Sequence, residues 1–204
     1  MQRVATEVYC AVGESPGNGA ECAVGGNDCW RLSWLPTTRE PDALAPQAIH
    51  EALDFLALQW KATLNHELFV GVPIEALGGL AAPVIDRDDF KSRISDLAAV
   101  IERMLSGATK PASTPDDEWR GSLNRVEAAL RDAGIDPPVA AIRALRDVVA
   151  VRTGFQHPGS RDLGSLLTKL GISVPVINWG HAWRVVQSRV AEAITELRVT
   201  LRDH

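Results

Sequence analysis

The sequence predicts an all-α protein, an up-down helical bundle that carries a small N-terminal β-hairpin or irregular appendage. Two observations indicate the bundle. From about residue 46 onward, apolar residues recur every three or four positions, and most of these runs end at a glycine or a proline. Helices with one apolar face have to bury those faces against one another, which a bundle achieves. We expect residues 1–40 to form the appendage and residues 46–204 to form the bundle.

The N-terminal forty residues do not share this helical period. Residues 4–12 alternate as in a strand, a stretch rich in glycine follows, and residues 30–34 alternate again. This pattern favours a β-hairpin or a loosely packed irregular segment. Residues 36–46 contain three prolines and are interpreted as a linker.

Two predicted helices come first in the bundle. The first begins near residue 46 and ends near Gly71. Its apolar positions are Ile49, Leu53, Leu56, Trp60, Leu64 and Leu68. The second has Asp86 or Asp88 as its N-cap, because a carboxylate there accepts from N–H groups of the first turn. Its apolar positions are Phe90, Ile94, Leu97, Ile101 and Met104 or Leu105. Residues 107–117 are polar and are predicted to form a connecting loop.

The remaining predicted helices are bounded by capping and helix-ending residues. A shorter third helix begins near Trp119 and is closed by Gly134. The fourth starts after residues 136–138 and stops at residues 157–159, where a proline prevents its continuation. A short helix over 163–170 follows. Asn178 is then the expected N-cap of a long final helix.

Composition and charge narrow the function classes. No apolar run approaches the roughly 18–20 residues that span a bilayer. The first residues lack the apolar core of a signal peptide. We therefore expect a cytoplasmic protein with no membrane partner. The net charge of −5 argues against broad nucleic-acid binding, yet residues 139–204 hold nine basic and five acidic side chains, a net of +4. This asymmetry mildly supports an anionic partner.

Motifs for cofactors and metals are missing. The sequence has no glycine-rich phosphate loop, no dinucleotide fingerprint and no His-Glu-x-x-His. Cys10, Cys22 and Cys29 lack the Cys-x-x-Cys spacing of a zinc site and have no histidine nearby. We expect neither a metal nor a cofactor.

Of the five histidines, His157 is the strongest candidate for chemistry. His50 and His66 are sixteen residues apart, too far for one site on a single helix. His181 lies in the first turn of the last helix, where a packing or capping role is expected. His204 is the C-terminal residue of the sequence.

An arginine precedes His157 on the same predicted helix. Leu145, Val148 and Val149 lie seven, four and three residues before Arg152, so Arg152 shares their apolar face. A guanidinium at such a position has to reach water past its apolar stem or find an acceptor. Because Pro158 disfavours the α conformation for His157, the two side chains can turn into one cleft.

The segment Arg152-Thr153-Gly154-Phe155-Gln156-His157 resembles the motif of the HEPN family, in which four to six residues separate an arginine from the histidine that follows it. The resemblance covers about residues 86–204, and specific residues are matched only at the motif. It implies an all-α bundle and a metal-independent endoribonuclease, of the kind that serves as a prokaryotic toxin or antiviral effector. The implied partners are RNA, a second copy of the chain in a homodimer, and an antitoxin or other protein.

The resemblance also implies roles for individual residues. Arg152 and His157 would be catalytic, with the arginine holding the phosphate and the histidine moving protons. Thr153, Arg146 and Arg161 would contribute to substrate binding. Thr153 departs from the pattern, because family members often have asparagine, aspartate or histidine directly after the arginine.

Two other interpretations stay open. In the first, Arg152 pairs with an acid or a carbonyl at the bundle edge and His157 caps the helix end. The protein is then a non-catalytic helical bundle that binds a protein or a nucleotide. In the second, the bundle regulates through a small molecule, and an apolar pocket among the tryptophans would support it.

Overall fold

The computed structural model describes residues 48–72, 74–108, 110, 115–116, 119–157, 159 and 162–204. These residues form seven helices and no strand, which confirms the all-α prediction for this part of the chain. The helices are α1 Ala48–Leu64, α2 Ile74–Leu80, α3 Arg87–Glu102, α4 Ser122–Asp132, α5 Val139–Gln156, α6 Leu163–Lys169 and α7 Trp179–Arg202. None of them combines the length and apolar character that crossing a membrane requires.

The chain divides into two compact units, Met1–Pro41 and Asp42–His204, and the described residues belong to the second. The predicted appendage of residues 1–40 lies outside the described residues. Within the second unit, α1 packs along α7, and α5 packs against α3, α6 and α7. The helix that carries Arg152 is therefore covered by neighbours along most of its length.

An aromatic cluster joins three of these helices. Phe90 of α3 is fully buried. Its ring centroid lies 6.1 Å from that of Phe155 on α5 and 5.2 Å from that of Trp179 at the start of α7. Trp183, one turn further along α7, approaches the same ring edge-on at 6.5 Å. The cluster fixes the C-terminal end of α5, where the Arg152 motif lies.

Side-chain caps set where several helices begin. The Asp86 carboxylate accepts from the backbone N–H groups of Asp88 and Asp89, each at 2.9 Å. The Asn178 side chain accepts from His181 N–H at 2.9 Å and starts α7. Of the two carboxylates predicted as the N-cap of α3, Asp86 is the one that caps it. The prediction that Asn178 caps the final helix is confirmed.

We expect Asp86→Ala to lower the free energy of unfolding by about 1 kcal/mol, the usual cost of losing an N-cap. The physical reason is that two N–H groups of the first turn lose their acceptor. Urea unfolding followed by circular dichroism measures the loss. Asp88→Ala is the matched control, because it removes a first-turn carboxylate that is not the cap. Equal losses in the two variants would contradict the assignment of Asp86.

One predicted boundary needs correction, and one helix was not predicted. The first helix ends at Leu64 and not near Gly71, because Asn65 takes a left-handed backbone conformation with φ of 58°. Leu68 is still buried, but its carbonyl accepts from Leu105 N–H at 2.7 Å instead of forming a helical bond. Helix α2 was not predicted, since Gly78 and Gly79 give it a low intrinsic helix propensity.

Candidate functional site

Arg152 lies near the C-terminal end of α5 and points to α3. Its Nη1 donates to Oε2 of Glu102, the last residue of α3, at 2.7 Å. The side chain of Arg152 is 22% exposed and that of Glu102 is 41% exposed. The prediction that this guanidinium either reaches water or finds an acceptor is confirmed, and it does both.

Only part of the donor capacity of Arg152 is used. A guanidinium carries five N–H donors, and the bond to Glu102 occupies one on Nη1. The Nε–H is buried without a hydrogen-bond partner. The ion pair therefore fixes the position of the guanidinium and leaves donors on it that a further anion could engage.

His157 ends the same helix. It is the C-cap residue of α5, with φ of −123° and ψ of 72°, and its backbone N–H donates to Thr153 O at 3.0 Å. The residue is exposed. Since the backbone of His157 is not helical, the direction of its side chain is not set by the helical geometry that sets the direction of the Arg152 side chain. The chain thus places a part-exposed cation and an exposed imidazole at one end of one helix.

Gly154 explains how the next helix reaches this end of α5. A Cβ at that position would lie 3.1 Å from Leu166 Cδ1 and 3.4 Å from Leu163 Cδ1, closer than most such contacts. Glycine therefore lets α6 pack directly against the motif. A second arginine lies near this end of α5. The guanidinium carbon of Arg87, the first residue of α3, is 5.7 Å from the centroid of the Phe155 ring.

The predicted substrate-binding residues are placed differently. Thr153 donates its hydroxyl to Val149 O at 3.0 Å, a bond within the helix. Arg146 contacts α4, where its Nη1 and Nη2 donate to the two carboxylate oxygens of Glu127 at 3.1 and 2.9 Å and Nη2 also donates to Asn124 Oδ1 at 2.7 Å. Arg161 lies outside the described residues.

Arg146 and Arg152 therefore contact different neighbouring helices, and the structure does not bring their guanidinium groups to a common acceptor. Glu102 was not predicted from the sequence. Nothing in a single sequence distinguishes it from the other surface carboxylates, since its role depends on where α3 ends relative to α5. Arg87 was missed for the same reason.

Metal ligands are not clustered in the part of the chain that the structure describes. No group of three histidine, cysteine, aspartate or glutamate side chains there could hold an ion. Comparisons with protein-family models, with curated proteins and with solved structures found no match. The resemblance to the HEPN family therefore depends on the Arg152-to-His157 motif and its helical context.

Proposed function

We propose that this chain is a metal-independent endoribonuclease of HEPN type that acts as a homodimer, with Arg152 and His157 as its catalytic residues. One observation carries the proposal: an anchored, part-exposed guanidinium lies five residues before an exposed imidazole that ends the same helix. RNA is a polymer that reaches only groups near the surface, and both groups meet that condition.

The two side chains suit cleavage that uses the ribose 2′-hydroxyl as nucleophile. An imidazole takes the hydroxyl proton while the 2′-oxygen forms a bond to phosphorus. The bond from phosphorus to the 5′-oxygen then breaks, and that oxygen takes a proton from the imidazolium of the second copy. The products are a 2′,3′-cyclic phosphate and a 5′-hydroxyl. Arg152 would donate to the phosphate oxygens as negative charge builds on them.

Glu102 has a positioning role in this proposal. An arginine side chain has many rotamers, and fixing one of them costs free energy whenever a phosphate binds. The bond of 2.7 Å to Glu102 fixes the guanidinium in advance. The Glu102 carboxylate also lowers the net positive charge of the site, which weakens the attraction between Arg152 and a phosphate.

Cleavage of mixed RNA in EDTA tests the proposal. We expect the wild-type chain to cleave and Arg152→Ala to be about 10²-fold slower, the usual cost of one donor to transition-state charge. Arg143→Ala is the matched control, because Arg143 lies exposed on the same helix. Circular dichroism checks that each variant folds. A wild type that does not cleave, or an Arg152→Ala variant as active as Arg143→Ala, would contradict the proposal.

The same contacts favour one competing function. The pair of Arg152 with Glu102 joins α3 to α5, and His157 occupies the C-cap, as expected of a non-catalytic bundle that binds a protein or a nucleotide. Such a module would leave RNA intact. Neither the wild type nor Arg152→Ala would then cleave RNA, whereas a nuclease cleaves as wild type and loses activity in Arg152→Ala, which separates the two functions.

A further inference from the structure

Two isoleucines stand out for their exposure to water. Ile177 is 94% exposed and Ile85 is 83% exposed, the two highest values among the large apolar side chains that the structure describes. Ile177 directly precedes Asn178, the N-cap of α7, and Ile85 directly precedes Asp86, the N-cap of α3. Neither side chain contributes to the core, so the fold alone does not explain them.

The two isoleucines form one apolar patch, because the starts of α3 and α7 touch. Gly180, in the first turn of α7, lies so close to Val84 that a Cβ on it would be 2.9 Å from Val84 O. Ile85 follows Val84, and Ile177 lies three residues before Gly180. Single exposed apolar residues are common on proteins, whereas a shared patch of them marks an interaction surface.

The apolar patch lies at the C-terminal end of α5. Trp179, two residues after Ile177, packs against Phe90 with 5.2 Å between the ring centroids. Phe90 also meets Phe155, at 6.1 Å, and α5 ends at His157 two residues later. A protein bound to the apolar patch would therefore lie beside the imidazole that the proposed reaction uses.

Two oppositely charged side chains lie next to the apolar patch and are not paired with another described residue. Arg87 is exposed, and its guanidinium carbon lies 5.7 Å from the Phe155 ring centroid. Asp88 is also exposed, and its carboxylate accepts no hydrogen bond from the part of the chain that the structure describes. The carboxylates of Asp86 and Asp89 differ, because each accepts from backbone N–H at the start of α3. One cation and one carboxylate are therefore available side by side.

A second copy of this chain fits these charges better than a partner of one charge does. In a two-fold symmetric interface, residue i of one copy contacts residue j of the other, and j contacts i. Arg87 opposite Asp88 of the second copy therefore gives two identical ion pairs, with the isoleucines of both copies next to them. A strongly acidic partner would be repelled by Asp88, and a strongly basic one by Arg87.

We propose that two copies of this chain associate through the apolar patch, with Arg87 of each copy paired to Asp88 of the other. The inference rests on the proposed function in one respect: the second imidazole that cleavage requires comes from a copy seated beside His157. The association itself is measured without RNA.

Sedimentation velocity of the full chain tests the apolar half of the interface. We expect the wild type to sediment with twice the mass of one chain. Ile177→Asp and Ile85→Asp should each weaken association by about tenfold or more, because a carboxylate is then buried against the second copy. Leu58→Asp is the matched control and should change nothing, since Leu58 is 66% exposed on α1. A monomeric wild type, or Leu58→Asp as dissociated as Ile177→Asp, would overturn the proposal.

Charge reversal tests the ion pairs. Arg87→Glu and Asp88→Arg each place like charges opposite one another, so each variant alone should associate about tenfold or more weakly than wild type. A one-to-one mixture of the two variants places opposite charges together at both pairs, so heterodimers should form. Altered folding of either variant cannot produce this recovery. A mixture that stays monomeric, or single variants that associate like wild type, would overturn the pairing.

RNA cleavage in EDTA by the same samples separates this inference from the proposed function. A chain that dimerises through the apolar patch and leaves RNA intact supports the interface and contradicts the nuclease. A chain that cleaves RNA while Ile177→Asp and Ile85→Asp remain dimeric supports the nuclease and contradicts the interface.

Discussion

Replacing His157 with alanine is expected to slow RNA cleavage by about 10²- to 10⁴-fold, the contribution of a positioned general acid or base. The structure makes this variant informative because alanine keeps the backbone bond by which His157 ends α5. The N–H bond to Thr153 O persists with any residue at this position except proline. The side chain is exposed, so its removal leaves no cavity in the core.

The measurement is the initial rate of cleavage in EDTA, at equal concentrations of folded wild type and variant. His181→Ala is the matched control, since His181 is also exposed and its backbone N–H, not its ring, meets the cap of α7. A toxic nuclease should also be hard to express as wild type and easy to express as His157→Ala. Equal rates in His157→Ala and wild type would remove His157 from the chemistry.

Helix boundaries were predictable where a single local interaction decides them. Asp86 and Asn178 each cap a helix through their own side chain, and Pro158 follows the residue at which α5 ends. Such features depend on residues within three or four positions of each other. Helix α2 was not predictable in this way. Its glycine pair disfavours helix, and burial of Leu80 against the core is what compensates.

The site was predictable only in part, for a similar reason. The position of Arg152 on the apolar face of its helix follows from the sequence, as does its need for an acceptor. The identity of that acceptor does not, because Glu102 is fifty residues away and reaches Arg152 only through the packing of α3 on α5.

Truncation of Phe90 to alanine is expected to lower the free energy of unfolding by about 3–5 kcal/mol. Phe90 is fully buried, and its ring contacts aromatic rings of α5 and α7. The loss combines the transfer free energy of the ring, the cavity left behind, and aromatic pairs worth about 0.5–1.5 kcal/mol each. A domain with a total stability of about 5–15 kcal/mol would be left close to unfolding.

Urea unfolding of Phe90→Ala and Phe55→Ala compares the effect of one substitution at a buried and at an exposed phenylalanine. Phe55 on α1 is 53% exposed, so its truncation should cost far less, although the guanidinium of Arg198 lies 5.7 Å from its ring centroid. Equal losses of unfolding free energy in the two variants would show that Phe90 does not stabilise the protein as part of the aromatic cluster. Phe90→Leu, which keeps most of the apolar volume, should recover the larger part of the stability.

The Phe90→Leu variant also tests whether the aromatic cluster positions the Arg152 motif. Phe155 lies between Arg152 and His157 in the sequence, and its ring meets Phe90 at 6.1 Å. If the aromatic cluster holds the end of α5 in place, Phe90→Leu should slow RNA cleavage while the folded fraction stays high, because small displacements of catalytic groups can cost about 10²-fold in rate. A Phe90→Leu variant that is stable and as active as wild type would mean that α6, packed on Gly154, is enough to position the motif.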